Sequence, residues 1–108
     1  MIPKVSVIMI TYKHEKFIEQ AVNSVLEQKT NFDYELIIAN DNSPDSTHEV
    51  ITKLTKNHPK AGLINYFKNE INLGANANYI KAYNLGTGKY IAVCEGDDYW
   101  GDEFKLQK

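Results

Sequence analysis

At 108 residues, with 43% hydrophobic and 24% charged side chains and a net charge of −2, the chain has the composition of one small globular domain. That balance excludes a disordered tail, and with no basic cluster it gives no electrostatic footprint for nucleic acid. A single cysteine, Cys94, rules out an internal disulfide, and Met1-Ile2-Pro3-Lys4 lacks the pattern of a signal peptide, so a cytoplasmic protein is expected.

The first element is Val5-Ser6-Val7-Ile8-Met9-Ile10, a nearly unbroken apolar run that suits a strand buried on both faces. Phe17, Ile18, Ala21, Val22, Val25 and Leu26 then recur at one-turn spacing and predict an amphipathic helix. Tyr34 to Ala39 reads as a second strand. Pro44-Asp45-Ser46 can start and cap a helix carrying Val50, Ile51 and Leu54. Leu63 to Phe67 is a third strand, Asn72-Leu73-Gly74 a turn into a third helix ending near Leu85-Gly86, and Tyr90 to Cys94 a fourth strand. This alternation predicts an α/β fold with a mostly parallel sheet of about four strands and helices on both faces. Ligands of such sheets bind beyond the carboxyl ends of the strands. Three segments share that rim: Thr11 to Glu15, Asn40 to Ser43, and Glu95 to Asp98.

The last of these holds three carboxylates in four positions, Glu95, Asp97 and Asp98. Like charges so close resist ionising together, and a divalent cation would compensate them. In an extended chain residues two apart face the same side, so Glu95 and Asp97 would face one ligand. Hard oxygen ligands suit Mg²⁺ or Mn²⁺. The residues alone leave a metal cradle and a solvated turn, capping a helix over Asp102 to Lys108, equally open. Asp41 likewise reads either as an acceptor for the N–H of a base or as the hub of an Asx turn. Tyr12 can stack on a base or pack, and Glu15 can contact a ribose or serve as a first-turn helix acid.

Other motifs carry less. Gly86-Thr87-Gly88-Lys89 has Tyr83 and Tyr90 where a phosphate-binding P-loop needs glycine and Ser or Thr. No G-x-G-x-x-G follows the first strand. His14, His48 and His58 share no metal-ligand spacing and read as surface residues. Cys94 reads as packed, and Trp100 as an anchor for the loop after the acids.

Taken in order, "VSVIMITYKHEKFIEQAVNSVLEQ", "YELIIANDNSPDSTHEVI" and "NEINLGANANYIKAYNLGTGKYIAVCEGDD" resemble the amino-terminal half of family 2 glycosyltransferases, which have the GT-A fold. The resemblance covers essentially the whole chain. It implies a nucleotide diphosphate sugar as donor, commonly a UDP-sugar, with Mn²⁺ or Mg²⁺. It implies that Thr11 and Tyr12 lie against the base, Glu15 near base or ribose, and that Asp41 accepts a hydrogen bond from the base. Asn78 matches the asparagine after the family's Asn-x-Gly turn, with a contact to the nucleotide sugar. Glu95 and Asp97 match the outer positions of Asp-x-Asp, with Asp97 the direct metal ligand and Asp98 an additional acid. The sequence departs from the family pattern at Ile10 (often proline), Lys13 (often asparagine), Asn40 (an acid) and Glu95 (an aspartate).

In the family, the base that activates the acceptor hydroxyl follows the Asp-x-Asp strand, so the resemblance places it, and the glycan or lipid-linked acceptor surface, beyond Lys108. The expectation is a single donor-binding domain, truncated and inactive alone, from an inverting enzyme of glycan or polysaccharide assembly. Peripheral membrane attachment is left to the longer parent, and self-association to surface bared by truncation. The rival reading is a non-catalytic nucleotide-binding or assembly module. A nucleotidyltransferase would need a glycine-rich basic loop where Thr11-Tyr12-Lys13-His14 stands, and a receiver domain an acid directly after the first strand.

Overall fold

The computed structural model describes residues 4–97 and 101, and the elements follow the expected order. They are β1 (Val5–Thr11), α1 (Ile18–Leu26), β2 (Tyr34–Asn40), α2 (Thr47–Asn57), β3 (Ile64–Lys68), α3 (Ala75–Leu85) and β4 (Tyr90–Val93), with a short 3₁₀ turn, Ala61–Leu63, before β3. All strand pairs are parallel, in the order β3-β2-β1-β4. The α/β parallel sheet expected from the alternation is therefore present. Trp100, Asp98 and the helix expected over 102–108 lie outside the described residues.

β1 and β2 occupy the two central positions, which is why both read as unbroken apolar runs. Their side chains alternate between two cores. Val5, Val7, Met9, Leu36 and Ile38 join Ile18, Val22, Val25 and Leu26 of α1 and Ile51 of α2 on one face. Ile8, Ile37 and Ala39 meet Ala82 and Tyr79 of α3 on the other. α1 buries Ile18, Ala21, Val22, Val25 and Leu26, a full apolar stripe, whereas α3 buries only Asn78 and Ala82. Cys94 is 2% exposed and packs in the first core, as expected.

Within the expected Pro44-Asp45-Ser46 start of α2, Asp45 supplies the side-chain bonds: Thr47 N–H and Thr47 Oγ1 both donate to Asp45 Oδ1, at 3.0 and 2.6 Å, while Ser46 at the N-cap makes none. One sequence reading changes in detail. β4 ends at Val93, one residue early, although Cys94 N and Gly96 N still donate to Ile8 O and Ile10 O and keep the chain against β1. Among the described residues no helix is long and apolar enough to cross a membrane.

The Gly86–Lys89 stretch lies at the amino ends of the strands, away from the rim that matters. There Gly88 N–H donates to Ser6 Oγ at 2.8 Å, and Ser6 Oγ donates to Glu35 Oε2 at 2.5 Å. Thr87 N–H and Oγ1 donate to the same carboxylate oxygen. Glycine is needed because a Cβ at position 88 would sit 2.6 Å from Ser6 N and 2.7 Å from the Val5 carbonyl carbon, both backbone atoms. Gly88→Ala should therefore cost about 1–3 kcal/mol, the usual penalty of overpacking, and lower the urea midpoint followed by circular dichroism. An unchanged midpoint would show that this loop shifts freely.

Candidate binding site at the carboxyl ends of the strands

Because the sheet is parallel, the segments after β1, β2 and β4 emerge on one edge. They enclose a cleft of about 320 Å³. Ile10, Thr11, Tyr12 and His14 line it from the end of β1, Asp41 from the end of β2, and Glu95 from the end of β4. Asn72, Gly74, Ala75 and Asn78 close it at the start of α3.

Asp41 is 4% exposed, and a buried carboxylate must find donors. Oδ1 accepts from Asn69 Nδ2 at 2.9 Å and from Leu73 N at 2.7 Å, and Oδ2 accepts from Gly74 N at 2.9 Å. Asn72 Nδ2 donates to the Asp41 carbonyl at 3.1 Å. The charge thus sits at the amino end of α3, whose own first turn carries no acid. Gly74 takes φ 89°, a conformation that only glycine adopts without strain, as the chain turns into the helix. The Asx turn read for Asp41 in its own loop is made by Asn40, whose Oδ1 accepts from Ser43 N, while Asp41 holds the distant turn into α3; among the described residues its Oδ2 accepts only from Gly74 and has a second lone pair.

Asn78 is 1% exposed and fully engaged in packing α3: Nδ2 donates to the Ala39 carbonyl and Oδ1 accepts from Asn69 Nδ2, each at 2.9 Å. Lys81 Nζ donates to Asn69 Oδ1 at 2.9 Å and completes the chain of bonds. Asn69 and Lys81 had no signal in the sequence, since their task appears only when β3 and α3 meet.

At the other wall, Thr11 is buried and Tyr12, which lines the cleft, is 39% exposed, with Lys13 Nζ 5.3 Å from its ring centroid. Lys13 has φ 61°, and its N–H donates to Ser43 Oγ. Asparagine tolerates that conformation better than lysine, so the departure at this position carries a small backbone cost. Glu15 is exposed and its side chain is not part of the cleft wall. Its N–H instead lies 3.4 Å from Asp45 Oδ2, so Asp45 ties the β1 loop to the start of α2. Burial pushes the Asp45 carboxyl up, but the Thr47 hydroxyl, the Thr47 N–H and the Glu15 N–H together hold it below the usual aspartate value.

Glu95 lines the cleft; Asp97 does not, but its half-exposed side chain lies 3.8 Å from His14, which does. The strand alternation expected to bring Glu95 and Asp97 to one side does not apply, because residues 96 and 97 form a turn. His14 is also a correction: read as a surface residue, it has its ring in the cleft wall with Nδ1 2.9 Å from Thr11 Oγ1. Among the described residues no group of three or more His, Cys, Asp or Glu side chains is arranged to hold a metal ion. Glu95 and Asp97 instead offer hard oxygen donors at the mouth of a cleft. That set fits Mg²⁺ or Mn²⁺ shared with a phosphate-bearing ligand and water, and does not fit an all-protein cage.

Residues 6–108 match the sequence profile described as glycosyl transferase family 2. An uncharacterized glycosyltransferase of Methanocaldococcus jannaschii is 40% identical over 97 residues, covering 89% of this chain and 32% of that protein. Among solved structures, residues 1–349 of Staphylococcus aureus TarS in complex with UDP are 26% identical with a TM-score of 0.80, over 95% of this chain and 30% of the other. The mannosyltransferase PcManGT of Pyrobaculum calidifontis, solved with GDP-Man and Mn²⁺, has the same fold, with a TM-score of 0.82 at 21% identity over 95% of this chain and 30% of that one. The chain spans about a third or less of the length of the relatives it matches.

Two outcomes follow from the geometry. Asp41→Asn keeps the side chain's size but turns an N–H toward a backbone N–H of the 73–74 turn. It should cost about 1–3 kcal/mol and speed hydrogen exchange at the Leu73 and Gly74 amides; unchanged exchange would show that the carboxylate does not hold the turn. Asp45 has its folded pKa depressed, so its stabilisation is complete above the ordinary aspartate pKa and is lost as pH falls through the depressed one. Thermal melts between about pH 5 and pH 2 should show this loss, and Asp45→Asn should flatten that part of the curve.

Proposed function

The chain belongs to glycosyl transferase family 2, and on that premise we propose that it is the single donor-binding domain of an inverting, metal-dependent glycosyltransferase. The donor is a nucleoside diphosphate sugar, with UDP as the carrier. The observation that carries the reading is the cleft in which Thr11 and Tyr12, Asp41 and Glu95 converge from three separate strand ends. Such a cleft suits a flat heterocycle with a charged tail: a half-exposed aromatic ring, a buried carboxylate acceptor, and acids at the mouth. The choice of UDP draws on the likeness to TarS, which was solved with that nucleotide.

In this reading Tyr12 stacks on the base and Thr11 lies against it, while the remaining lone pair on Asp41 Oδ2 accepts the base N–H. Glu15 stands outside the cleft wall and is assigned to the ribose side only. Asn78, whose amide is engaged with Ala39 and Asn69, acts on the donor site through its hold on α3. Asp97, with Glu95 and Asp98, would hold Mn²⁺ or Mg²⁺; when bound, the cation neutralises charge on the departing nucleoside diphosphate. The base that takes the acceptor proton, and the surface for a glycan or lipid-linked acceptor, belong to a part of the parent enzyme following this domain. The domain alone then binds donor without transferring sugar, and the parent works in the cytoplasm or at the membrane surface in polysaccharide assembly.

Calorimetric titration of UDP into the chain, with Mn²⁺ and then with chelator, tests this, with GDP as the competing nucleotide. Binding should require the cation, favour UDP, and weaken at least tenfold in Asp97→Asn, a loss of about 1.4 kcal/mol or more. Equal binding with chelator would remove the metal from the reading. Folded protein that binds neither nucleotide would leave the acids a structural role in this domain.

A further inference from the structure

We infer that His14 is a positioning residue for Asp97, setting the carboxylate in the orientation in which it takes the cation and, through it, the donor diphosphate. The inference rests on the donor-site reading above and deepens it.

The imidazole has a fixed root. His14 N–H donates to Thr47 Oγ1 at 3.0 Å, and Thr47 is fully buried at the start of α2. The His14 carbonyl accepts from Phe17 N and Ile18 N, at 2.9 and 2.8 Å. The ring itself is set by Thr11, which is 2% exposed and places Oγ1 2.9 Å from Nδ1. In the tautomer with its proton on Nε2, the Thr11 hydroxyl donates to Nδ1 and an N–H is turned toward Asp97. Nε2 lies 3.8 Å from Asp97 Oδ2, an electrostatic contact rather than a hydrogen bond.

The acidic turn is seated directly on this pair. Gly96 N–H donates to the Ile10 carbonyl at 3.0 Å. A Cβ at position 96 would stand 2.5 Å from Thr11 Oγ1 and 2.7 Å from His14 Nδ1. Glycine between the two acids is thus what lets Glu95 reach the cleft while Asp97 passes over the imidazole. The Asp97 side chain is 50% exposed, against 21% for His14, so the ring is the more enclosed partner and the carboxylate the more accessible one. A carboxylate drawn by one oxygen toward the imidazole, even without a hydrogen bond, would lose less rotamer freedom on taking a cation with the other.

The test is Mn²⁺ titration followed by electron paramagnetic resonance, in the presence of UDP, on the chain and its His14→Ala, His14→Asn and His14→Gln variants. Glutamine places an amide N–H near the position of Nε2, and asparagine one near Nδ1. His14→Ala and His14→Asn should weaken Mn²⁺ affinity about tenfold, the scale on which partners of metal ligands act, and His14→Gln should recover most of it. Thermal melts check folding; should the alanine variant unfold, the Gln and Asn pair still decides. Wild-type affinity in all variants overturns the inference, as does rescue by asparagine and not glutamine, which would assign the effect to the Thr11 contact. A wild-type chain that takes up no Mn²⁺ with UDP overturns the donor-site reading and this inference with it, and does so before any variant is compared.

Discussion

A carboxylate removed from water has to be surrounded by donors, and the shape of the cleft follows from where Asp41 finds them. Its donors come from the segment between β3 and α3, two of them backbone N–H groups of the turn that starts the helix. Hydrogen bonds to a charged group contribute about 1.5–3 kcal/mol each. α3 buries only Ala82 among its apolar side chains, with Tyr79 partly covered. The placement of this helix therefore depends on polar ties, Asp41 to its first turn and Asn78 to the Ala39 carbonyl, more than on an apolar seat.

The two faces of the sheet are consequently held by different physics. α1 and α2 are seated by an apolar core that includes Ile18, Val22, Val25, Leu26 and Ile51. That face would tolerate many sequences of the right volume and pattern. The α3 face needs particular donors and acceptors at particular positions, and it is the face that closes the cleft. Stability and binding geometry are thus largely assigned to opposite sides of β1 and β2.

Asn40 shows how a departure from the family pattern is absorbed. It is fully buried; its Oδ1 accepts from Ser43 N and Ser43 Oγ at 3.0 and 2.6 Å, and its Nδ2 donates to the Tyr66 hydroxyl at 3.1 Å. That hydroxyl lies 2.7 Å from His48 Nδ1, and the two rings stack. Burial raises the Tyr66 pKa, despite the Asn40 contact, so the phenol stays protonated and able to donate. An aspartate could take the Ser43 bonds but could not donate to Tyr66. The amide, the phenol and the imidazole form one self-consistent set, and the β2 end keeps its shape with one charge fewer beside Asp41.

What the sequence by itself determined was the order of elements, the parallel sheet, and the rim on which to look, because apolar periodicity records which faces are buried and needs no long-range information. It also pointed to Thr11, Tyr12, Asp41 and Glu95 as residues of that rim, from their positions just past strand ends. Which of two roles each side chain takes was decided only in three dimensions. Asp41 holds the α3 turn, Asn78 ties α3 to the Ala39 carbonyl, and Glu15 lies off the cleft wall; His14, on the expected rim but read as a surface residue, lines the cleft, and Asn69 and Lys81, with no sequence signal, support Asp41 and Asn78. The reason is that a polar side chain's task is set by its nearest donors and acceptors. For Asp41 those lie 28 to 33 residues away along the chain, at Asn69, Leu73 and Gly74, and they come within 3 Å only once the sheet has formed.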